Sequence, residues 1–208
     1  MKGDGTMRHH TKTLDVAVSA VGALVLILST MGYAYAQTPV TRFRISFPAS
    51  AHSGPITGRI FVMISDHTER EPRLQISRVG APFFGRDVEQ LRPGTFGTID
   101  ETDHGSPIGS LKDFPPGDYY VQAMVNIYSE FRRSDGHVLW MHDDQWEGQQ
   151  FNISPGNLYS DVQRVHLDPA RGFDVELVAS NVIPPIDVPP DDEWVKRFKI
   201  QSEILTQF

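Results

Sequence analysis

The residues best equipped for chemistry crowd into one stretch, HVLWMHDDQWEGQQFNISPGNLYS, from His137 to Ser160. His137, His142, Asp143, Asp144 and Glu147, joined by His166 downstream, supply nitrogen and oxygen donors of the kind that hold a divalent cation. None falls in a diagnostic spacing, whether an HExxH helix or an EF-hand loop. In an extended chain Asp143 and Asp144 point to opposite faces, so both ligate one ion only across a bend. A metal-dependent enzyme built on His137, His142, Asp143 and His166 is one reading. Solvated loop charge is the commoner one, and no metal or cofactor is expected.

The same stretch has a second chemistry. Trp140, Trp146 and Phe151 lie close in sequence to Gln145, Gln149 and Gln150. Aromatic faces with amide neighbours can stack on a sugar and hydrogen-bond its hydroxyls. Buried aromatics are the usual alternative, because a domain of this size needs large side chains in its core. The candidate ligand or interdomain surface is therefore Trp140, His142, Asp143, Gln145, Trp146, Glu147 and Phe151. Asn152-Ile153-Ser154 also matches the N-glycosylation triplet, a weak signal by itself.

Nucleophilic catalysis finds no such foothold. A G-x-S-x-G elbow is absent; GSPIG, from Gly105 to Gly109, has its serine one place early. Ser154 precedes a proline in a turn. With no cysteine in the chain, thiolate nucleophiles, thiolate metal sites and disulfides are excluded. No catalytic residue is assigned.

The elements that would position these groups read as strands. RFRISF (Arg42 to Phe47), GRIFVMIS (Gly58 to Ser65) and TFGTID (Thr95 to Asp100) precede the clearest of them, DYYVQAMVNIYSEF (Asp118 to Phe131). There, odd positions from Tyr119 to Ile127 make an apolar face and even positions a mixed one, the strand period. HVLWMH, DVQRVHLD and FDVELVAS follow, with DPARG (Asp168 to Gly172) read as the turn of a hairpin between the last two. Gly85 to Leu91, GRDVEQL, is the one place where a helical turn or two is expected. A Pro-Pro-Gly turn feeding a tyrosine-rich strand, FPPGDYYVQA, is how many sandwich domains bring in a strand beside a tyrosine corner. The expected fold is mainly β, a single antiparallel, immunoglobulin-like β-sandwich.

At the start of the chain, Lys2, Arg8 and Lys12 precede an apolar run from Val16 to Leu28, and Ala34-Tyr35-Ala36 offers small residues at the spacing signal peptidase accepts. The run is shorter than the roughly 20 residues of a spanning helix, so cleavage after Ala36 and export are expected, with no membrane attachment afterwards. Whole-chain charge is −7, and residues 1–36 hold three basic and two acidic groups, so the remainder is one unit more acidic. That balance, with no basic run, argues against nucleic acid as a partner.

Towards the other end, VIPPIDVPPDDEW carries two Pro-Pro pairs, which hold a chain extended. In WVKRFKIQSEIL an extended conformation would put Trp194, Phe198, Ile200 and Ile204 on one face, a strand in search of a partner. Residues 37–181 are expected to form the sandwich. Residues 182–208 read as a connector and the truncated start of a following domain.

Taken in order, FPASAHSGPITGRIFVMIS, PFFGRDVEQLRPG, DFPPGDYYVQAMVNIYSEF, DGHVLWMHDDQWEGQQFNISPGNLYS, VHLDP and VIPPIDVPPDDEWVKRFKIQSEILTQF resemble the N-terminal region of a family of exported bacterial esterase-like proteins. In that family a β-rich N-terminal region precedes an α/β-hydrolase-fold domain. The resemblance implies a non-catalytic accessory sandwich whose partner is the hydrolase domain. It implies no site residue here, because the family's nucleophile belongs to the hydrolase part. A carbohydrate or cell-surface binding module stands as the alternative.

Overall fold

A computed structural model describes residues 39–145, 148–198 and 200–204. Eleven strands alternate with turns: β1 (Thr41–Ser46), β2 (Ile56–Ser65), β3 (Phe83–Leu91), β4 (Gly97–Asp100), β5 (Gly105–Ser106), β6 (Gly117–Arg132), β7 (Val138–His142), β8 (Leu158–Tyr159), β9 (Gln163–Leu167), β10 (Phe173–Val178) and β11 (Asn181–Val182). Among the described residues helix is confined to 3-10 turns at Pro72–Leu74 and Leu111–Asp113. Among the described residues no helix is long and apolar enough to cross a membrane.

The strands form a mainly antiparallel β-sandwich. The smaller sheet runs β10-β1-β4, and the larger runs β11-β8-β6-β2-β3-β5, with β7 and β9 also paired to β6. One pairing departs from the antiparallel rule: β10 lies parallel to β1, Thr41 opposite Phe173 and Ser46 opposite Val178. Phe43, Ile45, Ile99 and Leu177 of the small sheet meet Ile60, Val62, Ile64, Phe84, Val121, Ala123 and Val125 of the large one in a continuous core. Period two is the cause: residues two apart on a strand share a face, so one alternating sequence builds one wall. The odd positions of β6 face this core, as its alternation predicts.

The entrance to β6 is a tyrosine corner. Tyr119 Oη donates to the Pro115 carbonyl four residues upstream at 3.0 Å. Its ring meets Phe114 edge-on, centroids 4.9 Å apart. Burial raises the Tyr119 phenol above its ordinary pKa, with the Asp66 charge adding to it. The neutral, donating form is therefore the one the corner holds.

Three expectations are corrected. GRDVEQL is the greater part of β3, not a helical turn. Between β2 and β3 the register jumps from Ile56↔Leu91 to Gly58↔Val88, an extra residue on β3. This β-bulge brings Phe84, Val88 and Leu91 all towards the main core. Their spacing of four and three is also a helical spacing, and that is how a bulged strand imitates a helix. DPARG closes no hairpin: β9 pairs with β6 and β10 with β1. The turn instead hands the chain from one sheet to the other, with Arg171 and Gly172 N–H donating to the Asp168 carbonyl. Finally, the described part of WVKRFKIQSEIL forms no strand. Asp192 Oδ1 accepts from the backbone of both Trp194 and Val195 at 2.7 Å, bending the chain where a strand would begin.

The parallel β1–β10 pair is also held by charge. Arg42 and Arg44 both reach Asp174, each at 2.7 Å. The hydrogen bond from Arg42, with that from Arg44, holds the Asp174 carboxyl below its usual pKa despite some desolvation. A depressed carboxyl stabilises the fold in full above its unfolded value of about 3.9, and that contribution is lost as pH falls through the folded value. Asp174→Asn should therefore lower Tm near neutrality, and the two melting curves should converge below about pH 4. The group is partly exposed, so the effect is about 1 kcal/mol or less, or about 2–4 °C. A gap that persists at pH 2 would point to a packing defect instead.

Candidate functional site

The long β6 organises the candidate residues, because β7, β8 and β9 pair with it at successive levels. Its even side chains, Gln122, Met124 and Asn126, face outward from the sandwich, yet all three are buried. They lie beneath a covering layer. Phe61, Met63, Met124 and Ile183 form a second cluster, against which Phe151 and Tyr159 pack. The Phe151 ring stacks on Phe61 with centroids 4.4 Å apart and planes 17° apart. Phe151 is thus a core residue of this outer layer.

His142, at the end of β7, is one of the fasteners of that layer. Nε2 faces the Gln149 carbonyl at 3.0 Å and Nδ1 faces Asn126 Oδ1 at 2.9 Å. Asn157 fixes which way the Asn126 amide points. Its Oδ1 accepts from Ile127 N–H, and its Nδ2 donates to both the Phe151 carbonyl and Asn126 Oδ1. Both His142 nitrogens face protein oxygens within hydrogen-bond distance, so neither is open to a metal ion. Gln145 is likewise committed: its Nε2 donates to the Ile186 carbonyl at 2.7 Å and its Oε1 accepts from Ile186 N–H at 2.8 Å. It stitches the Pro-rich segment to the loop, so packing continues beyond Val182 through Ile183 to Ile186.

The metal reading fails on geometry. His142 lies opposite Tyr128 and His166 opposite Asp118, ten residues apart on one strand, which is about 33 Å. His137 is at the tip of the β6–β7 hairpin beside Asp135. Asp143 Oδ2 accepts from Ser129 Oγ at 2.9 Å. No group of three or more His, Asp or Glu is placed to hold a metal among the described residues. Trp146 and Glu147 lie outside the described residues. Asn152 of the glycosylation triplet is buried, its amide donating to the Arg73 carbonyl at 2.9 Å.

Two clefts flank this layer. One, of about 500 Å³, is lined by His52, Ser129, Asp143 and Asp144. Ser129 gives its proton to a carboxylate there, which is not the serine–imidazole pair of a hydrolase. The other, of about 380 Å³, is lined by Thr57, Asp87, Glu89, Gln90, Tyr128 and Trp140. Of the aromatic candidates with described positions, only Trp140 is in the open, 44 % exposed on β7 opposite Glu130. Tyr128 lies beside it on the same face, its hydroxyl against Asp87 and Arg59. Burial, then the Asp87 charge, pushes that phenol above its ordinary pKa. Asp87 is paired to Arg59 at 3.0 Å. The sequence reading missed Asp87, Glu89 and Gln90 because β3 read as helix, and Thr57 because the strand candidate there began at Gly58. The period-two run into Gly58 was the signal that a second strand should lie alongside. A larger cleft, about 540 Å³, opens beside the tyrosine corner between the Asp66–Pro82 loop and Pro115.

Comparison with protein-family models, with curated proteins and with solved structures finds no match.

Proposed function

We propose that this chain is the N-terminal accessory β-sandwich of an exported esterase-like protein, non-catalytic alone, which packs against and orients an α/β-hydrolase domain. One observation supports the packing role. Among the described residues, the β6–β7 hairpin carries an apolar face that is left partly open. Leu139 is paired opposite Phe131 and Met141 opposite Ser129, so Phe131, Leu139 and Met141 share one side, each between 38 % and 46 % exposed. Scattered apolar residues are ordinary on a surface. A contiguous apolar hairpin face is the kind that a partner covers. The identity of the partner rests on the resemblance of the sequence blocks to the esterase-like family, and export rests on the basic, apolar and small-residue pattern of residues 1–36.

The test separates the two halves of the reading. Purified chain should leave aryl acetates at their uncatalysed rate. Added to the isolated hydrolase domain of an esterase from the resembled family, it should raise that domain's Tm by several degrees. Leu139→Asp with Met141→Asp should abolish the rise. Ester turnover by the chain itself, lost on a single Ser→Ala change, would make it an enzyme. An unmoved Tm would remove the docking role.

A further inference from the structure

We infer that the outer face of the large sheet, where β2 and β3 meet the β6–β7 hairpin, is a binding site for a neutral oligosaccharide. Trp140 and Tyr128 provide the stacking surface, and Thr57, Asp87 and Gln90 provide the hydroxyl partners. The inference is independent of the accessory role, because the pairings opposite Tyr128, Glu130 and Arg132 put Trp140 on the other side of the hairpin from Leu139 and Met141.

A pyranose presents C–H groups on its faces and hydroxyls around its rim. A site for it needs an open aromatic surface next to rigid donors and acceptors. Trp140 is the open surface, held on a strand rather than on a loose loop. Asp87 is oriented by Arg59 and by the Tyr128 hydroxyl. A carboxylate has about four acceptor positions, so it keeps capacity for sugar hydroxyls. Charges around the cleft select among sugars. The cleft is lined by Asp87 and Glu89 with no basic side chain, and the nearby Arg59 is already paired to Asp87, so uronic acids and other anionic sugars are disfavoured.

Gln90 is the independent observation. It is the non-glycine residue held at positive φ among the described residues, at +50°, and it lies within the bulge of β3. Thr57 Oγ1 holds it, accepting from its backbone N–H at 3.3 Å and its Nε2 at 3.2 Å. Glycine would take this conformation without strain. Glutamine instead stands here, in the lining of the cleft that Trp140 walls, and bulges that re-aim a side chain are typical of working sites.

The experiment is native affinity electrophoresis in gels containing xylan, mixed-linkage β-glucan or galactomannan, with polygalacturonate as the anionic comparison. At least one neutral polymer should retard the protein, and polygalacturonate should not. Titration calorimetry with a hexasaccharide of the retarding polymer should then show Trp140→Ala weakening binding tenfold or more, its circular dichroism unchanged. Gln90→Gly should weaken binding several-fold while Tm stays level or rises, which a purely structural glutamine would not do. Leu139→Asp with Met141→Asp should leave sugar affinity as it was. Retardation by no neutral polymer, preference for polygalacturonate, or full affinity in Trp140→Ala would each overturn the site.

Discussion

Asn157→Ala should destabilise the protein by about 3 kcal/mol and loosen the layer over the outer sheet face before the sandwich itself unfolds. The side chain is buried and serves three groups at once: the Ile127 N–H, the Phe151 carbonyl and Asn126 Oδ1. Alanine takes this partner from the Ile127 N–H and the Phe151 carbonyl and one of two from Asn126 Oδ1, in a place water reaches poorly, and that desolvation is the larger part of the cost. The loss propagates, because Asn126 Oδ1 also anchors His142. Hydrogen exchange should speed up across Gly148–Asn157 well beyond any change in the β1–β10 pair. Asn157→Asp keeps the acceptor for Ile127 but turns a donor towards two oxygens into a third oxygen, so it should be no milder than alanine. If both variants exchange like the parent, the layer is held by Phe151 stacking alone.

Gly58→Ala should be as severe, at about 3 kcal/mol or more, through steric rather than polar loss. A β-carbon at Gly58 would stand 2.1 Å from the Asn126 carbonyl oxygen and 3.3 Å from the Ile127 Cα. Those are backbone atoms of the neighbouring strand, which cannot swing aside as a side-chain end can. The clash falls where β6 leaves β2 and takes up β7, so the hairpin bearing Trp140 should lose its register as stability falls. Gly94→Ala is the informative comparison. That glycine has φ +75° and open space around it, so alanine there costs only the dihedral penalty, about 1 kcal/mol. Chemical denaturation of both variants decides it. Equal costs would mean that β6 shifts freely and the close approach is slack.

Much of the architecture was legible residue by residue. The alternation of β1, β2 and β6 gave their inward faces, and FPPGDYY gave the tyrosine corner, because both depend on local periodicity and local turn chemistry. The candidate site was less legible. All seven of its residues lie in one stretch from His137 to Ser160, but continuity in sequence is not proximity on one surface. Phe151 is drawn into an outer core, His142 and Gln145 are consumed as fasteners, Asp143 lines a separate cleft, and Trp140 alone of the described aromatic candidates lies in the open. Its neighbours there, Thr57, Asp87 and Gln90, come from strands remote in sequence.

The sequence by itself determined that this chain is a β protein without thiol chemistry, with strands whose apolar sides form one core. Period two and turn residues act over a few neighbours, so those properties need no knowledge of the rest. Only the tertiary structure decided that the polar side of β6 is buried, that the bulged β3 is a strand, and that the chain switches sheets after β9. Each of these depends on what a distant segment covers or pairs with. Gln122 and Asn126 look like solvent-facing residues until loops bring Ser160 and Asn157 to their amides. A polar side chain is satisfied equally by water or by a partner, and its own sequence does not say which it will meet.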